Sequence, residues 1–174
     1  MQVQFIKWLA VFIVISAMSS NAGAKQYNVS SPDEYNAIAS SLKAGDDVIL
    51  QNGVYRDFEI LLVGQGSAEK PITLTAQTKG KVILSGRSNL KLAGQYLEVS
   101  GLVFKDGYTP SSAVIAFRKD AQTPANYSRV SEVVIDEYSN PDRQESDYWV
   151  ALYGKHNRFD HNHLTGKRNK GVTV

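Results

Sequence analysis

The sequence predicts an all-β chain, folded as a right-handed parallel β-helix and closed at its N-terminal end by a single capping helix. Three features point there. Beyond Asp46 the apolar period shortens from that of a helix to two, short apolar runs recur at intervals near 24 residues, and one well-capped amphipathic segment precedes them.

Residues 1–24 open the chain with Lys7, the apolar run Trp8 to Ile15, and the small residues Ala22-Gly23-Ala24 before Lys25. That is the pattern of a bacterial Sec-type export signal cleaved after Ala24. The apolar stretch from Trp8 to Met18 is 11 residues long, well short of the roughly 20 that a membrane-spanning helix requires. A secreted or periplasmic protein with no membrane attachment after cleavage is expected. Cleavage removes one charge, Lys7, leaving 150 of the 174 residues with a formal net charge of +1 in place of +2. One domain, residues 25–174, is the natural count. With no cysteine, an exported chain must be held by burial and backbone hydrogen bonds alone. Neither a polybasic tail nor a low-complexity tract suggests nucleic acid.

Ser31-Pro32-Asp33-Glu34 reads as a helix start, with a serine N-cap, proline at the first helical position, acids at the positive dipole end and Glu34 completing a capping box. The helix is expected to run to Leu42, with Tyr35, Ile38, Ala39 and Leu42 as its apolar stripe, and to cover the first coil. Strands follow at Val48–Leu50, Ile72–Thr75, Val82–Leu84, Leu97–Val99, Val133–Ile135 and Arg158–Asp160. Leu50, Leu74, Val99, Ile135 and Phe159 are the expected inward positions, separated by 24, 25, 36 and 24 residues. The long interval implies an insertion between Gly107 and Val130, and a second polar excursion spans Tyr138 to Asp147. Such loops commonly shape a solenoid's binding cleft. Leu97–Gly107 and Asn157–Gly166 echo each other, which predicts Val99 and Phe159 stacked inside with Glu98 and Arg158 facing solvent. Gly171–Val174 reads as a strand entered and cut off, so a C-terminally truncated solenoid is expected.

Ala44–Tyr55, with Lys70–Thr75 and Lys81–Gly86, resembles the opening coils of carbohydrate-active β-helices of the pectin-lyase type. Tyr96–Gly107 and above all Asn157–Gly171 resemble the chondroitinase-B-like polysaccharide lyases of family six, most of which cleave alginate. The resemblance covers about Lys25 to Val174. It implies the N-terminal portion of a lyase acting on an acidic, uronate-containing polysaccharide by β-elimination. It also implies a lysine base and an arginine beside a calcium ion held by an asparagine and a Glu-x-Glu strand. Those residues belong to coils further along, and no Glu-x-Glu occurs here. Calcium is therefore expected in the full-length protein, no catalytic or metal residue is assigned within this chain, and residues 25–174 alone are expected to be inactive.

The residues themselves leave alternatives open. His156, His161 and His163 gather near the end with Lys155, Arg158, Lys167, Arg168 and Lys170, suggesting a basic surface for a polyanionic sugar chain or merely a solvated coil edge. Lys167, Arg168 and Lys170 are the candidate substrate contacts. His161-x-His163 has zinc-compatible spacing but lacks a third ligand, so structural histidines are expected. Asn157 and Asn162 are expected to bond turn backbones. Tyr148, Trp149 and Tyr153 could stack on sugar rings, with packing the better reading. Asp46-Asp47 and Asp136-Glu137 are the only adjacent acids that could pose as a glycosidase pair. A glycoside hydrolase and a non-catalytic carbohydrate-binding β-helix remain the competing functions.

Overall fold

Glycine and left-handed corners break the chain into short strands that stack coil upon coil in a computed structural model, which describes residues 23–174. Most of the export-signal region, residues 1–22, lies outside the described residues. The strands are β1 (Gln26–Val29), β2 (Asp47–Leu50), β3 (Gly53–Arg56), β4 (Glu59–Gln65), β5 (Ile72–Ala76), β6 (Val82–Gly86), β7 (Asn89–Gln95) and β8 (Leu97–Ser100). They continue as β9 (Leu102–Gly107), β10 (Ala113–Ala116), β11 (Ala125–Asn126), β12 (Arg129–Ser131), β13 (Val134–Asp136), β14 (Tyr148–Ala151), β15 (Arg158–Asp160) and β16 (His163–Thr165).

All strand pairs are parallel and form three sheets. The first runs β1-β2-β5-β8-β12-β15, and the second β3-β6-β9-β13-β16. In the third, β7 joins β4 to both β10 and β11, and β14 follows β10. This is the parallel β-helix that the period of two predicts. Each coil visits the three sheets in turn, so side chains alternate between a common interior and the outside.

The interior is a set of aliphatic and aromatic columns. In the first sheet Tyr27, Val48, Leu74, Val99, Val130 and Phe159 lie in one register. In the second, Tyr55, Leu84, Phe104, Ile135 and Leu164 do so. The inward series expected from sequence therefore needs two corrections. Leu50 is inward but sits two residues past Val48, and Ile135 belongs to the second sheet. The first-sheet intervals are 26, 25, 31 and 29 residues from Val48 to Phe159. Val99 and Phe159 share a column as expected, but Val130 lies between them. Glu98 and Arg158 face solvent as expected.

The expected insertion before Val130 is only partly a loop. Within it, β10 is fully buried, and residues 117–124 leave and rejoin the third sheet, with Arg118 and Pro124 bridged at the neck. The Tyr138–Asp147 excursion is present, yet Tyr138 itself is core. Its hydroxyl accepts from Ser88 N at 2.7 Å and lies 2.8 Å from Gly86 O, its ring meets Phe104 edge-on, and burial pushes its pKa up to about 12.

Helix α1 (Pro32–Ala39) ends three residues before Leu42 because the chain turns at Ser40, whose N–H bonds to Ile38 O. Ser31 caps it by accepting from Glu34 N at 3.2 Å, while the Glu34 carboxylate reaches one residue further back, to Ser30 N at 2.6 Å. Tyr35 is buried against Phe58 and donates to Leu61 O on the open edge of β4 at 3.0 Å. The helix thus covers the first coil and supplies a donor to a sheet edge that would otherwise be unpaired.

Candidate functional site

A solenoid strand offers two outward positions, i and i+2, and parallel stacking repeats them about every 4.8 Å along the axis. On the first sheet one outward row reads Asp47, Thr73, Glu98, Arg129, Arg158, and the next reads Ile49, Thr75, Ser100, Ser131, Asp160. A groove of about 370 Å³ opens on this face, lined by Thr73, Thr75, Glu98, Ser100, Arg129, Ser131, Glu132 and His161. Its floor is hydroxyl-rich and its rim is charged.

Asp160 organises the cations. It accepts from Arg129 through two bonds of 2.8 and 2.7 Å, from Arg158 at 3.2 Å, and faces His161 Nδ1 at 2.9 Å. The hydrogen bonds from Arg129 hold the Asp160 carboxyl well below the usual carboxylate range, with His161 and the charges of both arginines adding to the effect. Arg129 is raised in turn, first by Asp160 and then by the nearby charges of Glu98 and Glu132. The Arg158 side chain remains 66% exposed. Glu132 pairs with Lys79 at 3.1 Å on the exposed rim.

A second groove, of about 360 Å³, lies between the two excursions and is lined by Arg87, Tyr108, Thr109, Pro110, Ser111, Ser112, Asn140, Glu145, Ser146 and Asp147. The three candidate substrate contacts sit near it. Lys167 is turned inward: its ammonium lies 2.5 Å from Asp147 and 2.9 Å from Asn169, and its side chain is only 8% exposed. Arg168 stays exposed and pairs with Glu137 at 2.5 Å, while Lys170 is exposed next to Ser146.

The structure does not gather the basic residues of the last coil into one patch. His156 occupies the corner between the third and first sheets, Arg158 the first sheet, His161 the next corner, His163 the second sheet, and residues 167–170 the exit toward the third. One coil encircles the whole solenoid, so neighbours in sequence face different directions. His156 extends a corner column in which Tyr96 and Tyr127 stack at 5.0 Å and Tyr127 and His156 at 4.6 Å. Asn157 accepts from Ser128 N and Asn162 from Val133 N, at 2.9 and 2.8 Å, as expected of corner asparagines. Trp149 is fully buried and Tyr153 lies beneath the Arg118 guanidinium, whereas Tyr148 is exposed. Asp46 is buried as a turn acceptor for Lys25 N and Lys43 N, so it cannot pair with Asp47 in general acid-base work. Arg129 and Asp160 were not among the sequence candidates. The signal is the outward placement of Glu98 and Arg158, and the insertion expected between Gly107 and Val130 hides the coil that sets Arg129 between them.

A family model described as Chondroitinase B matches residues 29–174. The chain belongs to the chondroitinase B family. Among solved structures similar to this family member is the PL6 family alginate lyase AlyGC, with a TM-score of 0.83 and 59% identity over 85% of this chain and 20% of AlyGC. Pedsa3628, a PL6 family polysaccharide lyase from Pseudopedobacter saltans, matches with a TM-score of 0.76 and 34% identity, covering 82% of this chain and 32% of its own. A mannuronic acid specific family 6 lyase from human gut microbiota gives 0.75 and 32%, covering 83% and 35%. The chain thus spans a fifth to about a third of the length of these relatives. No curated protein sequence matches it.

Proposed function

We propose that these coils open the solenoid of an exported lyase that cleaves an acidic, uronate-containing polysaccharide, alginate first, by β-elimination. The observation that carries this reading is the 59% identity to an alginate lyase, spread over 85% of the chain in a solenoid of the same shape. The reacting residues lie in coils beyond residue 174, and the mature protein begins at Lys25 outside the cytoplasm.

Elimination removes a proton from the carbon beside a carboxylate, so the charge that develops there must be neutralised for an ordinary base to act. The family resemblance implies calcium for that purpose. Among the described residues no group of three or more His, Cys, Asp or Glu side chains converges, and the sequence has no Glu-x-Glu. These coils do not fit the ion, and no step is assigned to it here. Their part is to bind and align. The groove on the first sheet, with its hydroxyl floor and the exposed Arg158 at its end, favours that face as the one along which the polymer runs. Arg158 would receive a uronate carboxylate there, over a floor of hydroxyls. Arg168 and Lys170 would serve as peripheral contacts at the loop groove, while Lys167 acts through Asp147.

The test is product chemistry with the complete protein on alginate. Elimination yields ultraviolet-absorbing unsaturated uronate ends without incorporation of solvent oxygen. New reducing ends lacking that chromophore would establish hydrolysis instead, and binding without cleavage would establish a carbohydrate-binding module.

A further inference from the structure

The outward face of the first sheet changes sign along the solenoid axis. Its row begins with Asp47, passes Glu98 and ends on Arg129 and Arg158. The two arginines are not equivalent. Arg129 is held in a two-bond pair with Asp160 and has Glu98 on the preceding strand and Glu132 beyond the end of its own. Arg158 makes one 3.2 Å contact with the same carboxylate and keeps most of its side chain in solvent. A uronate carboxylate over the Arg158 strand meets an accessible guanidinium. One strand earlier it meets an already neutralised arginine and the exposed Glu98 carboxylate about 5 Å away, the spacing of stacked strands, whereas Glu132 is offset by its pair with Lys79 at 3.1 Å.

We propose that Glu98 forms an electrostatic stop that closes the N-terminal end of the substrate cleft, so that an acidic polymer is held up to the Arg158 strand and no further. This rests on the reading of the protein as a lyase for acidic polysaccharide. The hydroxyl floor of Thr73, Thr75, Ser100 and Ser131 continues past the stop, so charge, not shape, ends the cleft. At about 5 Å in a water-like dielectric the Glu98 carboxylate weakens occupancy by roughly fourfold at low salt. In 1 M salt, where the Debye length is about 3 Å, most of that effect disappears.

The experiment measures affinity of the complete protein for purified oligouronates of increasing length by titration calorimetry. For the wild type, affinity should stop rising once the oligomer reaches the Arg158 strand. In Glu98→Gln, longer oligomers should continue to gain, by about fourfold at low salt, and most of that gain should disappear in 1 M salt. Glu98 is solvent-exposed and glutamine keeps its shape. Arg158→Gln should lower the plateau itself. A wild type that binds while Glu98→Gln plateaus at the same length and affinity overturns the stop alone. A wild type that neither binds nor cleaves any oligouronate overturns the functional reading beneath it.

Discussion

Replacing Lys167 by methionine should cost the fold about 3 kcal/mol, because it removes one half of a buried ion pair. The Lys167 and Asp147 side chains are 8% and 7% exposed, and their charged atoms are 2.5 Å apart. Methionine keeps the aliphatic stem near the Trp149 ring but leaves the Asp147 carboxylate uncompensated. Breaking such a pair typically costs about 3–5 kcal/mol. The lower end applies here because Asn169 still donates to Asp147 at 2.8 Å. Urea unfolding of the variant, followed by tryptophan fluorescence, reads the loss as a lower midpoint. Lys167→Met/Asp147→Leu should recover much of it, since a well-packed apolar pair is often as stable as the ion pair it replaces. A single variant within about 0.5 kcal/mol of wild type, the range of ordinary surface substitutions, would refute the scaffold role. Loss of polymer affinity at unchanged stability would return Lys167 to the substrate.

Two further outcomes follow from backbone and charge. Gly94 has φ of 115° and a Cβ there would come within 1.9 Å of Gly64 O, so Gly94→Ala should destabilise by roughly 3 kcal/mol or more, and a thermal midpoint near that of wild type would contradict the close stacking of β4 on β7. The Asp160 carboxyl is depressed in the fold by Arg129, so its contribution is fully present above the unfolded carboxylate pKa of about 4 and is lost as pH falls toward the lower folded value. The stability difference between wild type and Asp160→Asn should therefore be constant above about pH 5 and shrink below pH 4, and a difference that stays flat into the acid range would count against the pairing.

The period of two and the capped helix made the architecture legible because both are local signals. Ser31, Pro32 and Glu34 announce a helix start whatever packs on it, and Leu74 and Val99 alternate with polar neighbours on their strands. Coil register was less legible. Val130 and Ile135 stand five residues apart on different sheets, and a two-residue corner at Glu132 and Val133 separates them with no glycine or proline to mark it. Glu132 takes φ of 57° without the glycine that marks the equivalent corner at Gly101. The candidate site suffered most from this. A basic run from Lys155 to Lys170 looks like a patch in one dimension, but a coil wraps it around the perimeter. The pair that orders the first-sheet face, Arg129 and Asp160, is 31 residues apart and visible only once those strands are set side by side.

The corner between the first and second sheets holds only one or two residues in the last three coils: Gly101, then Glu132 with Val133, then His161 with Asn162. The long excursions leave elsewhere, at 117–124 within the third sheet and at 137–147 between the second and third. Over these three coils added length therefore gathers in one sector of the circumference, whereas one coil earlier residues 77–81 make a five-residue corner between the first two sheets. The first two sheets behave as a hinge-free bracket, on which outward residues keep their mutual distances while loops across the barrel change size. A lineage carrying this scaffold could remodel the loop-built rim by insertion, but could alter the flat face only by exchanging one side chain for another.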